Sequence, residues 1–237
     1  MRSLTFAKRN FLEILRDPIS YIFGIGLPVL MLIAMTVINS SVPQGVELEI
    51  FKIQNLSCGV AVFGLCFIML SGAMLVSKDK TGAFLTRLYT SPMRAHEFII
   101  GYAIPLFCVA LVQMVFIFAS SAVVGLIVKS PLNLLGVMLS VATLIPSAIF
   151  FVALGIAFGF LFNQTSAPPM CSFVITFAGL LGGIWFDCTT VGGFIETLCR
   201  ILPFFNAVLS ARSAMALNVD VIPLIVIIVY AIVCAFL

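Results

Sequence analysis

Six long apolar stretches alternate with short polar segments, and this alternation predicts a bundle of membrane-spanning helices. The apolar stretches cover residues 19–38, 56–76, 98–128, 134–162, 170–186 and 221–237. A helix rises about 1.5 Å per residue, so roughly 20 apolar residues cross a hydrocarbon core of about 30 Å. The third stretch is longer, and we expect its first turns to be covered by protein, with a kink at Pro105. The pattern predicts an all-α polytopic membrane protein with six transmembrane helices in one domain, 1–237.

Residues 1–17 have a different pattern, in which apolar positions recur on one side of a helix. The apolar positions are Leu4, Ala7, Phe11, Ile14 and Leu15, and the positions opposite them are Arg9, Glu13 and Arg16. This spacing is typical of an amphipathic helix in the membrane interface, with Arg9 and Glu13 placed to pair. The helix should end at Asp17, because the residue before a proline is pushed out of the helical conformation.

Residues 187–218 fit neither a plain span nor a solvated loop. Gly192, Gly193 and Pro203 interrupt them, yet residues 194–216 are strongly apolar. We expect one or two short re-entrant outer helices that other parts of the protein shield from lipid. Cys188 and Cys199 both fall in this segment, either as two free thiols or as a disulfide.

Composition and charge narrow the class and the orientation. The chain is 62% hydrophobic and only 9% charged, which excludes a soluble globular domain of this length. Eight basic residues fall in segments 1–17 and 77–97, namely Arg2, Lys8, Arg9, Arg16, Lys78, Lys80, Arg87 and Arg94; the other four are Lys52, Lys129, Arg200 and Arg212. The positive-inside rule therefore predicts that both termini and residues 77–97 are cytoplasmic. A net charge of +3 gives no reason to expect a nucleic-acid partner.

Residues 77–97 form the most polar segment of the chain. Leu85, Leu88 and the aliphatic stem of Arg87 would give a short helix an apolar side, with Lys78, Lys80 and Arg94 left in water. Such a helix can dock in a groove of a soluble partner, although an ordinary basic loop would have a similar composition. His96 has no second histidine or cysteine near it, so we interpret it as an exposed residue and predict no metal site.

Small and polar residues within the spans suggest contacts between helices. Gly155-x-x-x-Gly159 and Gly179-x-x-x-Gly183 permit close helix approach, unless they are simply scattered glycines. The candidates for a transport pathway are Gln113, Thr143 and Thr176, although such lone residues commonly bond to a neighbouring helix or to their own backbone. No charge falls near the middle of a span. This argues against an ion-coupled transporter and favours a hydrophobic or amphipathic cargo.

The segment after the second span resembles the membrane subunits of ABC type-2 exporters, particularly drug-resistance permeases of the daunorubicin-exporter kind. The motif D-K-x-G-x-F-L-x-R-L-x-x-S-P is carried by Asp79, Lys80, Gly82, Phe84, Leu85, Arg87, Leu88 and Pro92, with Arg94 following. A second similarity is Pro203 followed nine residues later by Arg212. The chain departs from the family at Tyr102, where a basic residue is common, and at Ser210, where an acid is frequent. Arg212 then needs another acidic partner; the candidates are Asp187, Glu196 and Asp220.

The resemblance implies a permease subunit in a bacterial plasma membrane that exports its cargo with energy from a separate ABC ATP-binding subunit docked on residues 77–97. Two permeases, identical or homologous, and two ATP-binding subunits would form the working unit, with spans one and five meeting across the dimer near Gly179. The chain has no G-x-x-x-x-G-K-[ST] loop, so we expect ATP and Mg²⁺ in the partner and no cofactor or enzymatic activity here. Exporters of drugs, lipids, peptides, glycans and sodium share this architecture. The alternative is a non-energised channel or scaffold subunit.

Overall fold

The computed structural model describes residues 2–41, 49–82, 95–185, 188 and 192–236. These residues form helices, with no strand among them, as the predicted all-α fold requires. The helices are α1 (Arg2–Leu15), α2 (Pro18–Tyr21), α3 (Leu27–Ser41), α4 (Ile53–Thr81), α5 (Ala95–Ile127), α6 (Leu134–Leu161), α7 (Ala167–Leu181), α8 (Gly193–Ile201), α9 (Pro203–Met215) and α10 (Val221–Phe236). A π-helical turn, Ile22–Gly26, joins α2 to α3, and a 3-10 turn, Glu49–Phe51, precedes α4.

Helix α4 lies at the centre of the bundle, in contact with α3, α5, α6, α7 and α9. Its most apolar window is 83% buried, compared with 22% for the first span. The sequence of α4 is apolar on all sides and includes small residues such as Gly59, Ala61 and Gly64, which is typical of a helix enclosed by other helices. The core of the protein is therefore built around the second predicted span.

Within the described residues, four segments are long and apolar enough to cross a membrane: Ile22–Ser41, Ile53–Thr81, His96–Ile127 and Leu134–Leu161. Helices α8 and α9 give a fifth if the bent pair counts as one span. Helices α7 and α10 are apolar but have only 15 and 16 residues, short of the roughly 20 that a straight crossing needs. The chain is thus a multi-pass membrane protein with four to five span candidates, and the six-span arrangement stays a prediction.

The predicted loop over residues 77–97 is shorter in the structure. Helix α4 continues to Thr81, and α5 begins at Ala95. Helix α4 continues through these polar residues because Lys78 and Lys80 lie in its last turn. Positive charges there interact favourably with the unpaired carbonyl groups at the end of the helix. Helix α5 runs on through Pro105, the site of the predicted kink.

The segment between the fourth and fifth apolar stretches, residues 163–169, is also shorter in the structure. Helix α7 begins at Ala167, with Pro168 and Pro169 in its first turn. Proline is tolerated there, because the first N–H groups of a helix have no partner within it. The same helix ends at Leu181, five residues before the end of the predicted fifth span.

Helix α1 packs against the start of α5, and its predicted apolar face divides into two. The buried side chains are Phe6, Ala7, Asn10 and Ile14, whereas Leu4, Phe11 and Leu15 are exposed. At about 100° per residue the two sets occupy neighbouring sides of the helix. Helix α1 therefore presents one side to the bundle and another that is free to face lipid.

Helices α8 and α9 form a sharply bent pair, with an angle of 82° between them. Leu202 joins them in an extended conformation, as expected of a residue before a proline, and Pro203 begins α9. Helix α9 is largely buried against α4 and α6, while Phe194 on α8 is exposed. This agrees with two short helices in residues 187–218; their depth in the membrane stays a prediction.

Candidate functional site

A cluster of polar side chains joins α1 to the end of α4 and the start of α5. Its centre is Asp79, in the last turn of α4, with 4% of its surface exposed. The Arg9 guanidinium donates two hydrogen bonds to this carboxylate, from Nη1 to Oδ2 at 2.8 Å and from Nη2 to Oδ1 at 3.0 Å. The bonds raise the pKa of Arg9 above its ordinary value. They also compensate the carboxylate for the hydration it loses on burial.

Tyr102 supplies a third hydrogen bond to Asp79. It is fully buried near the start of α5, and its hydroxyl donates to Oδ2 at 2.8 Å. The ring packs edge-on against Phe6 of α1, with centroids 4.9 Å apart. Tyr102 is thus a neutral donor to the buried acid.

Asn10 and Phe6 fasten α1 to the start of α5. The buried Asn10 side chain donates from Nδ2 to the carbonyl oxygen of Gly101 at 3.0 Å. A Cβ atom at Gly101 would overlap the Phe6 ring, so only glycine permits this close approach. Helix α1 therefore bonds to both helices that flank residues 83–94, to α4 through Asp79 and to α5 through Gly101, and it packs Phe6 against Tyr102.

More exposed contacts extend the cluster around α4. Glu13 pairs with Arg9 at 2.9 Å, as its spacing predicts, and also with Lys78 at 2.7 Å. Lys80 donates to the carbonyl oxygen of Phe160 at 2.6 Å, near the end of α6. The sequence pattern leaves Lys78 and Lys80 in water; both are exposed in the structure, but each is bonded to another part of the chain.

The predicted docking residues divide into two groups. Asp79, Lys80 and Gly82 are described: Asp79 faces α1, Lys80 contacts α6, and Gly82 follows the end of α4. Phe84, Leu85, Arg87, Leu88, Pro92 and Arg94 lie outside the described residues. The contacts of Asp79 place it in a joint within the chain, and the docking role of these residues stays a prediction.

Comparison with protein families decides the class of this membrane protein. The family model described as ABC-2 type transporter matches residues 3–216, nearly the whole chain. The chain belongs to the ABC-2 type transporter family. No curated protein sequence gives a significant match. The protein is thus an ABC-2 membrane permease, of a family whose members normally work with an ATP-binding subunit.

Gln113 of the ABC-2 permease lies where α5 contacts the π-helical turn. It is 1% exposed, and its Nε2 donates to the carbonyl oxygen of Gly24 at 2.5 Å. In an α-helix that carbonyl would accept the N–H of residue 28, but Pro28 has none. Gly24 itself lies in the π-helical turn, and Gln113 adds a donor to its carbonyl from another helix. Gly64 leaves the room for it, because a Cβ atom there would overlap the amide.

The two threonine candidates bond within their own helices. The Thr143 hydroxyl donates to the carbonyl oxygen of Ser140 at 3.1 Å, and that of Thr176 to Ser172 at 2.9 Å. Thr143 is buried and Thr176 is exposed. Such bonds satisfy a hydroxyl in apolar surroundings without any ligand. The pathway role of Gln113, Thr143 and Thr176 stays a prediction.

Gly155 and Gly159 of α6 face α4 within the same chain. A Cβ atom at Gly155 would lie 2.5 Å from the carbonyl oxygen of Met69, and one at Gly159 would lie 2.5 Å from the Val76 Cβ. The absence of side chains at both positions lets the two helices approach closely.

Gly179 and Gly183 do not form a similar pair, and this prediction is wrong. Helix α7 ends at Leu181, and Gly183 lies beyond it with a φ of 66°. A left-handed glycine just after a helix is a stop signal, so the two residues do not share a helix face. Gly179 contacts its own chain, since a Cβ atom there would lie 3.2 Å from the Trp185 Nε1.

Arg212 on α9 reaches the opposite end of α4 from Asp79. Its Nε donates to the carbonyl oxygen of Asn55 at 3.2 Å. Among the acids predicted as its partners, Glu196 instead pairs with Arg200 at 2.8 Å, and Asp187 lies outside the described residues. The described contact therefore joins Arg212 to the backbone of α4.

The remaining candidates give no sign of a metal or a disulfide. Cys188 and Cys199 are reduced thiols, buried together in a small apolar cluster with Phe205. Within the described residues, no group of three or more histidine, cysteine, aspartate or glutamate side chains could hold a metal ion. His96 is exposed at the start of α5.

Proposed function

We propose that this permease is driven by a separate ABC ATP-binding subunit that docks on residues 77–97. The observation that carries the proposal is the joint around Asp79. Arg9 and Asn10 of α1 bond to the end of α4 and to the start of α5, the two helices that lead into residues 83–94. A displacement of that segment would therefore move α1, α4 and α5 together, as a coupled transition requires.

The proposed cargo is a hydrophobic or amphipathic compound, either drug-like or lipidic. It would be exported in the way that daunorubicin-resistance permeases export theirs. In the described helices longer than 20 residues, the acids and the lysines lie within four residues of an end. A pathway through such helices offers no acid or lysine at mid-depth and suits an apolar cargo. The proposed working unit has two permeases and two ATP-binding subunits in a bacterial plasma membrane, and the basic residues of segments 1–17 and 77–97 support cytoplasmic termini.

The docking step can be tested by a double change, Arg87→Glu with Leu88→Asp. The first change reverses a charge, and the second places a negative charge on the proposed apolar contact. We expect the variant to lose co-purification with the ATP-binding subunit. We also expect it to lose ATP-dependent dye transport into inverted vesicles. Lys80 is left unchanged, because it bonds to Phe160 of its own chain. The matched control is Lys129→Glu, which reverses an exposed charge in the turn between α5 and α6.

Two outcomes would contradict the proposal. If the double variant co-purifies and transports like the unmodified permease, residues 87 and 88 are not the docking contact. If the permease alone forms a functional oligomer that conducts without ATP, the alternative of a channel or scaffold subunit is correct. An unchanged melting temperature of the double variant shows that a loss of binding is not a loss of fold.

A further inference from the structure

An open cavity of about 820 Å³ lies between α1, the π-helical turn and the C-terminal part of α4. Phe23, Leu70 and Met74 form an apolar wall, and charged side chains of residues 9–17 together with Lys78 form its rim. Phe23 and Met74 stay partly exposed, so the wall is accessible from outside. Binding sites for small molecules commonly have volumes of about 300–1,000 Å³, which makes this cavity large enough for part of a lipid.

Among the charged residues of the rim, one cation has no ionic partner within the part of the chain that the structure describes. The two acids that line the cavity already have partners. Glu13 forms ion pairs with Arg9 and Lys78, and Asp17 accepts a hydrogen bond from Ser20. The guanidinium of Arg16 is exposed and makes no ion pair or side-chain hydrogen bond with any residue that the structure describes. A guanidinium in this position can bind a phosphate group through two parallel hydrogen bonds.

The surroundings favour a membrane lipid over a soluble anion. The exposed apolar side of α1, with Leu4, Phe11 and Leu15, is free to face lipid, and Leu12 on the cavity rim is exposed as well. A basic residue at such an interface attracts anionic lipids, and the apolar wall below it can accept an acyl chain. A soluble phosphate would use the cation alone and would leave that wall in water.

We propose that this cavity binds one anionic phospholipid from the leaflet that contains α1. The lipid phosphate lies on Arg16, and the first part of an acyl chain lies along Phe23 and Met74. The lipid fills the space between α1 and α4 beside the joint around Asp79. The permease therefore selects anionic over zwitterionic lipid at this place, independently of any ATP-binding subunit.

The test uses quenching of tryptophan by brominated lipids in vesicles of phosphatidylglycerol or phosphatidylcholine. Trp185 is the sole tryptophan, and Trp185→Phe removes it. Phe23→Trp then places a reporter in the cavity, and Phe116→Trp places a control reporter on an exposed position of α5. We expect quenching of the Phe23→Trp reporter to show an apparent affinity about fivefold higher for brominated phosphatidylglycerol than for brominated phosphatidylcholine. One basic residue at a membrane surface attracts anionic lipid by about this factor. The Phe116→Trp reporter should respond equally to both lipids.

The charge variants separate the site from general attraction to the membrane. Arg16→Gln should abolish the preference at the Phe23→Trp reporter, and Lys129→Gln, which removes an exposed cation elsewhere, should leave it unchanged. Equal quenching by both lipids at this reporter, or a preference that survives Arg16→Gln, overturns the proposal. Quenching by neither lipid overturns it too, because the cavity is then covered by protein, such as a second permease.

Discussion

At the scale of single residues, Gln113 shows how a proline is accommodated inside the first span. Pro28 cannot donate an N–H to the Gly24 carbonyl of the π-helical turn, and Gln113 donates to that carbonyl at 2.5 Å. Within a bilayer no water can bond to a carbonyl at an irregular turn, and here a side chain of a neighbouring helix does so. Gln113 is thereby a structural partner of Pro28, whatever it contributes to transport.

We therefore predict that Gln113→Leu and Pro28→Ala are coupled. Gln113→Leu alone should lower the stability of the purified permease by about 1 kcal/mol, the usual size of a lost interhelical hydrogen bond. In a Pro28→Ala background the cost should be smaller, because the new N–H at position 28 can bond to Gly24. A double-mutant cycle of unfolding free energies measures the coupling.

Thr176→Val is the control for this cycle. It removes a hydroxyl that bonds only to its own helix, and its effect should be equally small in both backgrounds. Strictly additive effects of Gln113→Leu and Pro28→Ala would show that Gln113 does not replace the missing donor.

Residue by residue, the sequence predicts local contacts and misses distant ones. The Arg9–Glu13 pair follows from helical spacing, and it forms. The bond from Arg9 to Asp79 joins residues 70 positions apart and depends on how α1 docks, which no periodicity reveals. One feature of the sequence does indicate this docking. Asn10 lies four residues from both Phe6 and Ile14, on the same side of the helix as these two apolar residues. A polar side chain buried on that side needs a hydrogen-bond partner in another element.

At the scale of helices, the contact of α4 with α6 depends on missing side chains. Gly155→Ala would place a Cβ atom 2.5 Å from the backbone of Met69, which cannot move as a side chain can. We predict that this change lowers the unfolding free energy by about 1–3 kcal/mol, since overpacking outweighs the gain in helix propensity. Chemical unfolding of the purified permease measures it.

Gly72→Ala is the control on the same helix, α4, where the nearest atom belongs to α5 and the Gly155 backbone of α6 is 3.8 Å away. Its Cβ atom would lie 3.0 Å from a terminal methyl group of Leu106, which can shift. The expected loss is less than about 1 kcal/mol, because a small displacement relieves the contact. Equal losses for the two alanine variants would mean that the α4–α6 approach is not limited by backbone contact.

The ends of the helices were harder to predict than their existence. The proline pair at 168 and 169 indicates a turn, yet proline also suits the first turn of a helix, and there α7 begins. Similarly, the polar residues 77–81 look like a loop, but their partners on α1 and α6 let α4 continue. Composition identifies the apolar centre of each helix, whereas tertiary contacts decide where it stops.

For the whole molecule, α4 connects two polar contacts at opposite ends of the bundle. Asp79 joins its last turn to α1, and the Asn55 carbonyl joins its start to Arg212 of α9. The order of apolar segments and the motif after the second span were enough to recognise an ABC-2 permease, which the family match supports. The pairing of helices was not predictable, because all six apolar stretches are similar in composition.

The joint around Asp79 makes a prediction for the working transporter. Arg9→Gln with Asp79→Asn replaces the ion pair by two amides. The amides can still form a hydrogen bond with each other, but they carry no charge. We expect this double variant to fold and to retain ATP hydrolysis with its ATP-binding subunit, while transport per ATP falls about tenfold, within the range of coupling energies carried by such networks. The ratio of transport to hydrolysis in proteoliposomes is the measurement.

Two comparisons decide whether the joint transmits motion or only stabilises the fold. Arg200→Gln with Glu196→Gln removes an exposed pair of similar length, and it should leave the ratio unchanged. Arg9→Gln alone should destabilise the permease more than the double change, because it leaves the buried Asp79 carboxylate without its cation. If the double variant transports normally per ATP, the Arg9–Asp79 pair is a structural bond, and the displacement of residues 83–94 must reach the bundle by another route.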